Sequence, residues 1–328
     1  MPVNERIVRP AVLLAALAVT ACTDEPVSPT TTPPVPAMSP ALAAPSAGTA
    51  EEILALMDAI NAQLAVAGTD YRVAVAEYLT SPGGGEAGSI ILARDLGNKR
   101  LDEDFVPFDP RRSDWSGSVS GPLDDITFAI DQTTDGTPIL GGLSGEQATA
   151  AIQRGVASWE AVQCSNPPLT ENPSFGLDIG IVAFLEGLGG ATPFVFADVQ
   201  HAGFSDIDFG GFVLGVTFTF VFVTDAGDLT DIDGNGRADV AFREIYYDPT
   251  FPYRDDGVSD IDLESVAVHE FGHGLSQAHF GTFFLRNDGT VDASPRAVMN
   301  GGYLAPFRDL AGPDSGGHCG TWASWPGN

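Results

Sequence analysis

The order of apolar segments along the chain predicts a mixed α/β fold with a twisted mixed sheet, one long helix and a second helix after the last strand. The expected strands, several of them rich in Val and Phe, are 126–130, 179–185, 195–199, 213–223 and 240–247. The long helix is expected at 144–162, where apolar residues recur on one face. Trp159 belongs to that face and is expected in the core. The second helix is expected to begin after a cap at Ser259 or Asp260.

Residues 50–112 have a pattern of their own. Apolar residues recur at helical spacing from Ile53 to Leu64, and strands are expected at 71–78 and 89–96 on either side of three glycines. A helix and a hairpin bury little apolar area when they stand alone. We therefore expect an N-terminal accessory or pro-region at 50–112, packed on a larger domain at 113–328. The stretch 107–113 is the expected boundary.

The first residues indicate export. Arg6 and Arg9 precede a short apolar run, and the sequence Val-Thr-Ala-Cys ends at Cys22. This resembles the lipobox of bacterial lipoproteins, which implies a signal peptide at 1–21 and a lipid on Cys22. An ordinary signal peptide cleaved nearby is the alternative. Residues 22–49, rich in Pro, Thr and Ala, are expected to form a flexible linker. Either reading places the protein in the cell envelope or outside the cell.

The charge of the chain restricts its partners. Lys and Arg number 15 against 44 Asp and Glu, a formal net charge of −29. Such a chain repels nucleic acid and anionic lipid, so membrane contact is expected only through the N-terminal lipid. No feature addresses the oligomeric state, and a monomer is expected.

Two cysteines remain besides Cys22. Cys164 and Cys319 form an even pair in a chain expected to be exported, which favours a disulfide between them. Two buried free thiols are the alternative.

The most specific motif of the sequence is a cluster of three histidines. His269 and His273 are spaced to lie one turn apart on one helix face, and His279 follows after six more residues. Three imidazoles that leave a fourth position open are typical of a catalytic zinc site. Glu270 is then placed to hold the water bound to the ion. A surface helix that happens to carry histidines is the alternative.

The histidine motif resembles the signature of the metzincin zinc endopeptidases, and residues 262–270 most resemble the matrixins within that clan. The sequence Ala-Val-Met ending at Met299 resembles the clan's Met-turn, and the helix around Trp159 resembles the first matrixin helix. The resemblance covers roughly 115–328 and implies a metzincin-like fold and cleavage of protein or peptide substrates. It also implies that Glu270 is the general base and that Met299 shapes the floor of the site. In matrixins an extended peptide pairs with an edge strand, for which 213–223 or 240–247 are the candidates.

Three departures from the matrixin pattern stand out. Ser276 replaces a glycine that adopts a left-handed backbone, at a cost of roughly 1 kcal/mol. Met299 lies further after His279 than in typical matrixins, so 280–296 is expected to be an inserted loop. No cysteine lies between Cys22 and Cys164, so the N-terminal region has no candidate for the thiolate latch of many matrixins.

A second motif predicts a calcium site. Asp231, Asp233, Asn235 and Asp239 stand at positions one, three, five and nine of a calcium-loop pattern, and a glycine stands at position six. Position twelve is not the glutamate of an EF-hand, and Glu244 is a possible extra ligand. An acidic Asn-Gly turn without an ion is the alternative.

The sequence thus predicts a zinc endopeptidase that hydrolyses peptide bonds through a zinc-bound water activated by Glu270. Two other functions stay open. One is a calcium-stabilised surface lipoprotein that binds a partner without cleaving it, and the other is a zinc amidase on non-protein substrates. A second zinc site at His201 also stays open, although a structural role for that histidine is favoured.

Overall fold

A computed structural model describes residues 50–81, 89–91, 100–113, 115, 123–133, 138–165, 167–190, 194–209, 211–288 and 290–327. All of these belong to one compact unit. The expected signal peptide, Cys22 and the linker to residue 49 lie outside the described residues. Within the described ranges, no helix is both long enough and apolar enough to cross a membrane.

The centre of the fold is a mixed sheet of eight strands among the described residues. The strands are β1 (Tyr71–Thr80), β2 (Ser89–Ile91), β3 (Glu103–Asp104), β4 (Ile126–Phe128), β5 (Leu169–Glu171), β6 (Val199–Phe204), β7 (Val213–Phe222) and β8 (Ala238–Tyr247). Their order is β2-β1-β7-β8-β6-β4-β5, and β3 also pairs with β8. Strands β5, β4, β6 and β8 are mutually parallel, whereas β7 runs antiparallel to β8 and β1 runs antiparallel to β7. The expected mixed α/β class is confirmed.

Two helices cover one face of the sheet. Helix α2 (Gly145–Glu160) confirms the helix expected at 144–162. It begins with a capping box in which Ser144 and Gln147 exchange hydrogen bonds. It packs against α4 (Leu263–Gly274), and Gly155 permits the approach because a Cβ there would lie 3.1 Å from the Val268 nitrogen. Trp159 is fully buried, and its indole nitrogen donates to the Val268 carbonyl at 2.8 Å. Its expected place in the core is confirmed.

The opposite face is covered by the N-terminal helix α1 (Ala50–Ala67) and the short α3 (Ile181–Glu186). Helix α1 buries Ile53, Met57, Ile60 and Leu64, four of the five apolar residues that predicted it, and leaves the fifth, Leu54, exposed. Leu56 is buried with them. They pack with aromatic residues of β7 and β8. Strand β1 follows α1 and enters the central sheet rather than forming a separate hairpin with β2.

Several expected elements were wrong in place or kind. Residues 179–185 were expected as a strand, but 181–186 form α3, because Glu244 accepts hydrogen bonds from the first free amides of that helix. The strand expected at 195–199 begins only at Val199 and runs to Phe204. Helix α4 is capped by Asp262 rather than by Ser259 or Asp260. The stretch 280–296 forms a hairpin of β9 (Thr282–Leu285) and β10 (Val291–Ser294).

A buried ion pair ties the expected boundary at 107–113 to the sheet. Arg112 ends a short 3₁₀ helix (Pro110–Arg112) and donates to both carboxylate oxygens of Asp198, at 2.7 and 2.8 Å. Both side chains are fully buried. Asp198 also accepts from the Trp115 indole and the Thr127 amide. The boundary segment is therefore part of the core.

Replacing Asp198 should strongly destabilise the fold. The variant Asp198→Ala leaves the Arg112 guanidinium buried without its carboxylate, which costs about 3–5 kcal/mol of the free energy of unfolding. Chemical denaturation measures the loss. Asp58→Ala on the exposed side of α1 should change it by less than about 0.5 kcal/mol. A loss of similar size in both variants would contradict the role of Asp198.

Candidate metal centre

Helix α4 places the histidine motif at the middle of the molecule. Every residue of this helix is buried, and its start is fixed by the Asp262 carboxylate, which accepts from the Ser265 amide. Gly272 lies between the two helical histidines, and a Cβ there would come within 2.3 Å of the Met299 sulfur. The glycine therefore allows Met299 to pack directly against the helix.

The three histidines of the motif meet at one point. The Nε2 atoms of His269 and His279 lie 3.0 Å apart, those of His273 and His279 3.0 Å, and those of His273 and His269 3.1 Å. A single point can therefore lie about 2 Å from all three nitrogens, which is the usual Zn–N distance for histidine. Among the described residues this is one of two groups that could hold a metal ion.

The opposite nitrogens of two rings are fixed by the backbone. His269 Nδ1 lies 2.7 Å from the Val298 carbonyl, and His273 Nδ1 lies 2.7 Å from the Gln277 carbonyl. A carbonyl oxygen can only accept, so each Nδ1 carries the proton and each Nε2 offers its lone pair to a ligand. His279 Nδ1 lies 3.4 Å from a carboxylate oxygen of Glu77 on β1. A carboxylate behind a histidine ligand is a common support of zinc sites.

Burial keeps the three imidazoles neutral. It lowers the pKa of His269 to about 4. Burial, with the neighbouring histidines as a further cause, lowers the pKa of His273 and of His279 well below the ordinary value. Neutral imidazoles with converging lone pairs fit Zn²⁺, and their arrangement leaves further coordination positions for a substrate or solvent.

The turn from α4 to His279 passes through Ser276 in the left-handed conformation, with φ of 64°. The strain expected for a serine here is therefore present. Ser276 is fully buried, and its hydroxyl accepts from the Arg243 guanidinium at 3.0 Å. This hydrogen bond, together with the one that the Ser276 amide donates to the His273 carbonyl, offsets the cost of the turn.

Met299 is fully buried and packs against α4 at Gly272, while its assignment to a Met-turn stays a prediction. The Asp314 carboxylate of α5 (Gly312–Trp322) accepts from the amides of Val298 and Met299, at 2.9 and 3.0 Å. The Val298 carbonyl in turn holds His269. Asp314 thus positions a proposed ligand through the backbone, and no motif in the sequence marked it.

Glu270 lies beside the histidines on the side of β7. Its carboxylate accepts from the Thr217 hydroxyl at 2.7 Å, and a Cβ at Gly215 would lie 2.9 Å from it. The side chain is fully buried, and burial raises the pKa of Glu270 well above its ordinary value. A carboxylate with a raised pKa takes up a proton more readily than an exposed one, which favours the role of a general base.

A small cavity of about 30 Å³ adjoins His269. Val298, Tyr303 and Phe307 line it on one side, and Leu79 of β1 lines it on another. The Tyr303 hydroxyl accepts from the Asp262 amide at 3.0 Å, so it supports the start of α4.

The predicted calcium loop joins β7 to β8. The carboxylates of Asp231, Asp233 and Asp239 lie within 4.8 Å of one another. Asn235 donates from its side chain to Asp233 and Asp104, and Arg111 already forms an ion pair with Asp239. The expectation of Glu244 as an extra ligand is wrong, because Glu244 lies within β8 and accepts hydrogen bonds from the first amides of α3. Calcium binding stays a prediction.

The remaining candidates have structural surroundings. The Cα atoms of Cys164 and Cys319 lie 5.6 Å apart, at disulfide distance, as predicted. His201 is fully buried, bonds through Nδ1 to the Ile245 carbonyl and stacks on Tyr246. Among the described residues, no group of potential metal ligands includes His201.

Comparison with known proteins adds no family. No known protein family matches this chain, and no curated protein matches its sequence.

Loss of one histidine should abolish stoichiometric metal binding. Wild type should retain one zinc ion per chain through gel filtration, and His279→Ala should retain far less because only two nitrogens remain. Metal analysis of the eluted protein measures this. His318→Ala, which removes another buried histidine, is the control and should keep the ion. Equal zinc in all three proteins would contradict the site.

The metal-free protein should lose stability as the pH falls from about 6.5 to about 4. In this range an unfolded histidine binds a proton, whereas His269, with its pKa near 4, does not. His273 and His279 act in the same direction, and each adds a slope of up to ~1.4 kcal/mol per pH unit. Above about 6.5 their contribution is fully present.

Glu270 acts in the opposite direction, since its raised pKa lets the folded chain bind a proton that the unfolded chain releases. Glu270→Gln should therefore steepen the loss of stability on acidification. Urea unfolding at pH 8, 6.5 and 5 measures both slopes. A free energy of unfolding that is the same at pH 8 and pH 5 in both proteins would contradict the burial of neutral histidines.

Proposed function

We propose that this chain is a zinc-dependent endopeptidase of the matrixin-like metzincin type. One observation carries the proposal: three buried imidazoles direct their Nε2 atoms at a common point, and the carboxylate of Glu270 lies in the same buried site. Structural zinc sites are closed by four protein ligands, whereas a three-histidine set leaves room for chemistry.

The residues would divide the work as follows. His269, His273 and His279 hold the ion. When bound, it would act as a Lewis acid that polarises the scissile carbonyl and lowers the pKa of a coordinated water. Glu270 takes the proton of the attacking water on its carboxylate and delivers it to the leaving amine. Thr217 fixes the carboxylate of Glu270 through the hydrogen bond to Oε2.

The wider setting of the enzyme is proposed from the sequence. Export through the signal peptide, lipidation at Cys22 and calcium at Asp231, Asp233 and Asp239 are all consistent with a peptidase outside the cytoplasm. The charge of −29 supports a soluble protein or peptide as substrate rather than nucleic acid.

Removal of the general base tests the proposal. Zinc-loaded Glu270→Gln should cleave casein and peptide libraries at least about 100-fold more slowly than wild type, because the water loses its proton acceptor. It should retain its zinc, since Glu270 is not a ligand. A time course of product formation, followed by mass spectrometry, measures the cleavage rates. The variant Glu146→Gln, on the exposed start of α2, is the control.

Equal cleavage by wild type and Glu270→Gln would contradict the proposed role. Turnover of small amides without cleavage of any peptide would favour the zinc amidase instead.

A further inference from the structure

Strand β1 passes the candidate metal centre and pairs with the edge of β7 that faces away from β8. It pairs antiparallel with β7 along its whole length, from Tyr71 opposite Phe222 to Thr80 opposite Val213. At its end the Thr80 carbonyl accepts from the amide of Tyr303, in the segment after Met299. The strand is therefore held from two sides at the point where it passes the histidines.

Two side chains of β1 reach the site itself. Glu77 lies opposite Thr217, the residue that holds Glu270, and its carboxylate lies 3.4 Å from His279 Nδ1. Leu79 is only 2% exposed and lines the cavity beside His269 and Tyr303. The strand thus offers an acidic side chain to one histidine and an aliphatic side chain to a pocket beside another.

With β1 in place, the proposed site is closed to a large substrate. Glu270 and His273 are fully buried, His269 is 2% exposed, and the side chain of His279 is 14% exposed. A protein substrate binds such sites in extended form by adding a strand to a sheet edge. The strand beside the site is β7, and both of its edges are already paired, one with β1 and the other with β8. Neither strand expected as the substrate edge, 213–223 or 240–247, is an edge.

We infer that β1 is bound in the groove that an extended peptide substrate would use, so that the chain with β1 docked is a latent form of the enzyme. This inference rests on the proposed peptidase function. Peptides reach the metal centre only when β1 leaves β7. The space that Leu79 vacates beside the cavity at His269 then accepts a medium-sized aliphatic side chain of the substrate.

Helix α1 attaches β1 to the fold, so the strand is not a loosely held tail. Five apolar side chains of α1 are buried on the opposite face of the sheet, and β1 follows after a turn of three residues. The first residues of β1 stay docked with α1, because Tyr71 and Val73 share its apolar cluster and Val73 exchanges hydrogen bonds with Asn61. The end of the strand that carries Glu77 and Leu79 can leave β7 and return without being lost by diffusion.

A reversible lock tests the inference. Tyr78 and Val216 face each other across β1 and β7, so the double variant Tyr78→Cys/Val216→Cys should form a disulfide that holds the strand in place. Oxidised, it should cleave peptides at least 10-fold more slowly than wild type, and reductant should restore the rate. Wild type with and without reductant controls for the Cys164–Cys319 pair.

A loosening variant tests the opposite direction. Leu79→Asp replaces a buried aliphatic side chain with a charge, weakens the docking of β1 and should raise the cleavage rate at least 10-fold. Val66→Asp puts the same charge on α1, where the side chain is 92% exposed, and should leave the rate unchanged.

A second readout needs neither metal nor turnover. A fluorescent peptide with the sequence of Tyr71–Thr80 should bind metal-free Glu270→Gln protein more tightly when Leu79→Asp is added, as measured by fluorescence polarisation. It should bind at least 10-fold more weakly when the oxidised lock is added instead. The matched protein with the lock reduced should regain binding.

The outcomes separate the two proposals. Equal cleavage and equal peptide binding by the oxidised and reduced lock would overturn the latent form. If no variant cleaves any peptide while the lock still controls peptide binding, the closed groove stands and the peptidase function fails.

Discussion

The candidate metal site depends on one constraint: three neutral imidazoles must be held with their lone pairs toward one another in a buried place. Such a cluster is unfavourable unless the opposite nitrogen of each ring has a partner, because buried polar groups without hydrogen bonds are costly. Backbone carbonyls supply this partner for His269 and His273, and the Glu77 carboxylate lies 3.4 Å from Nδ1 of His279. Each partner comes from a different part of the fold, so the site exists only when those parts are assembled.

The supports of the site explain several features that otherwise look accidental. The Val298 carbonyl is in place because Asp314 binds the two amides around it. The left-handed Ser276 brings the chain round to His279, and Arg243 fixes that turn. Gly272 and Gly155 remove side chains where Met299 and α2 approach α4. The core beneath the histidines is thus shaped around the three imidazoles.

Local patterns in the sequence were sufficient for the parts of the site that lie close together in the chain. The spacing of His269 and His273 follows from the helical repeat, and the apolar face of 144–162 predicted α2. Partners distant in sequence left no such sign. Glu77 and Asp314 were missed because only tertiary structure brings them to the histidines, and the pairing of β1 with β7 joins residues more than a hundred positions apart. Residues 179–185 were mistaken for a strand because an apolar run this short has no clear period, and Glu244 decides in favour of a helix.

The central claim is that the three histidines hold a transition metal, and X-ray absorption at the zinc edge of the loaded wild-type protein tests it most directly. The account predicts a first shell with three imidazole nitrogens at about 2.0 Å and one or two oxygen ligands from solvent. In His279→Ala the imidazole contribution should fall to two. A shell without imidazole nitrogens, or one that the substitution leaves unchanged, would contradict the account.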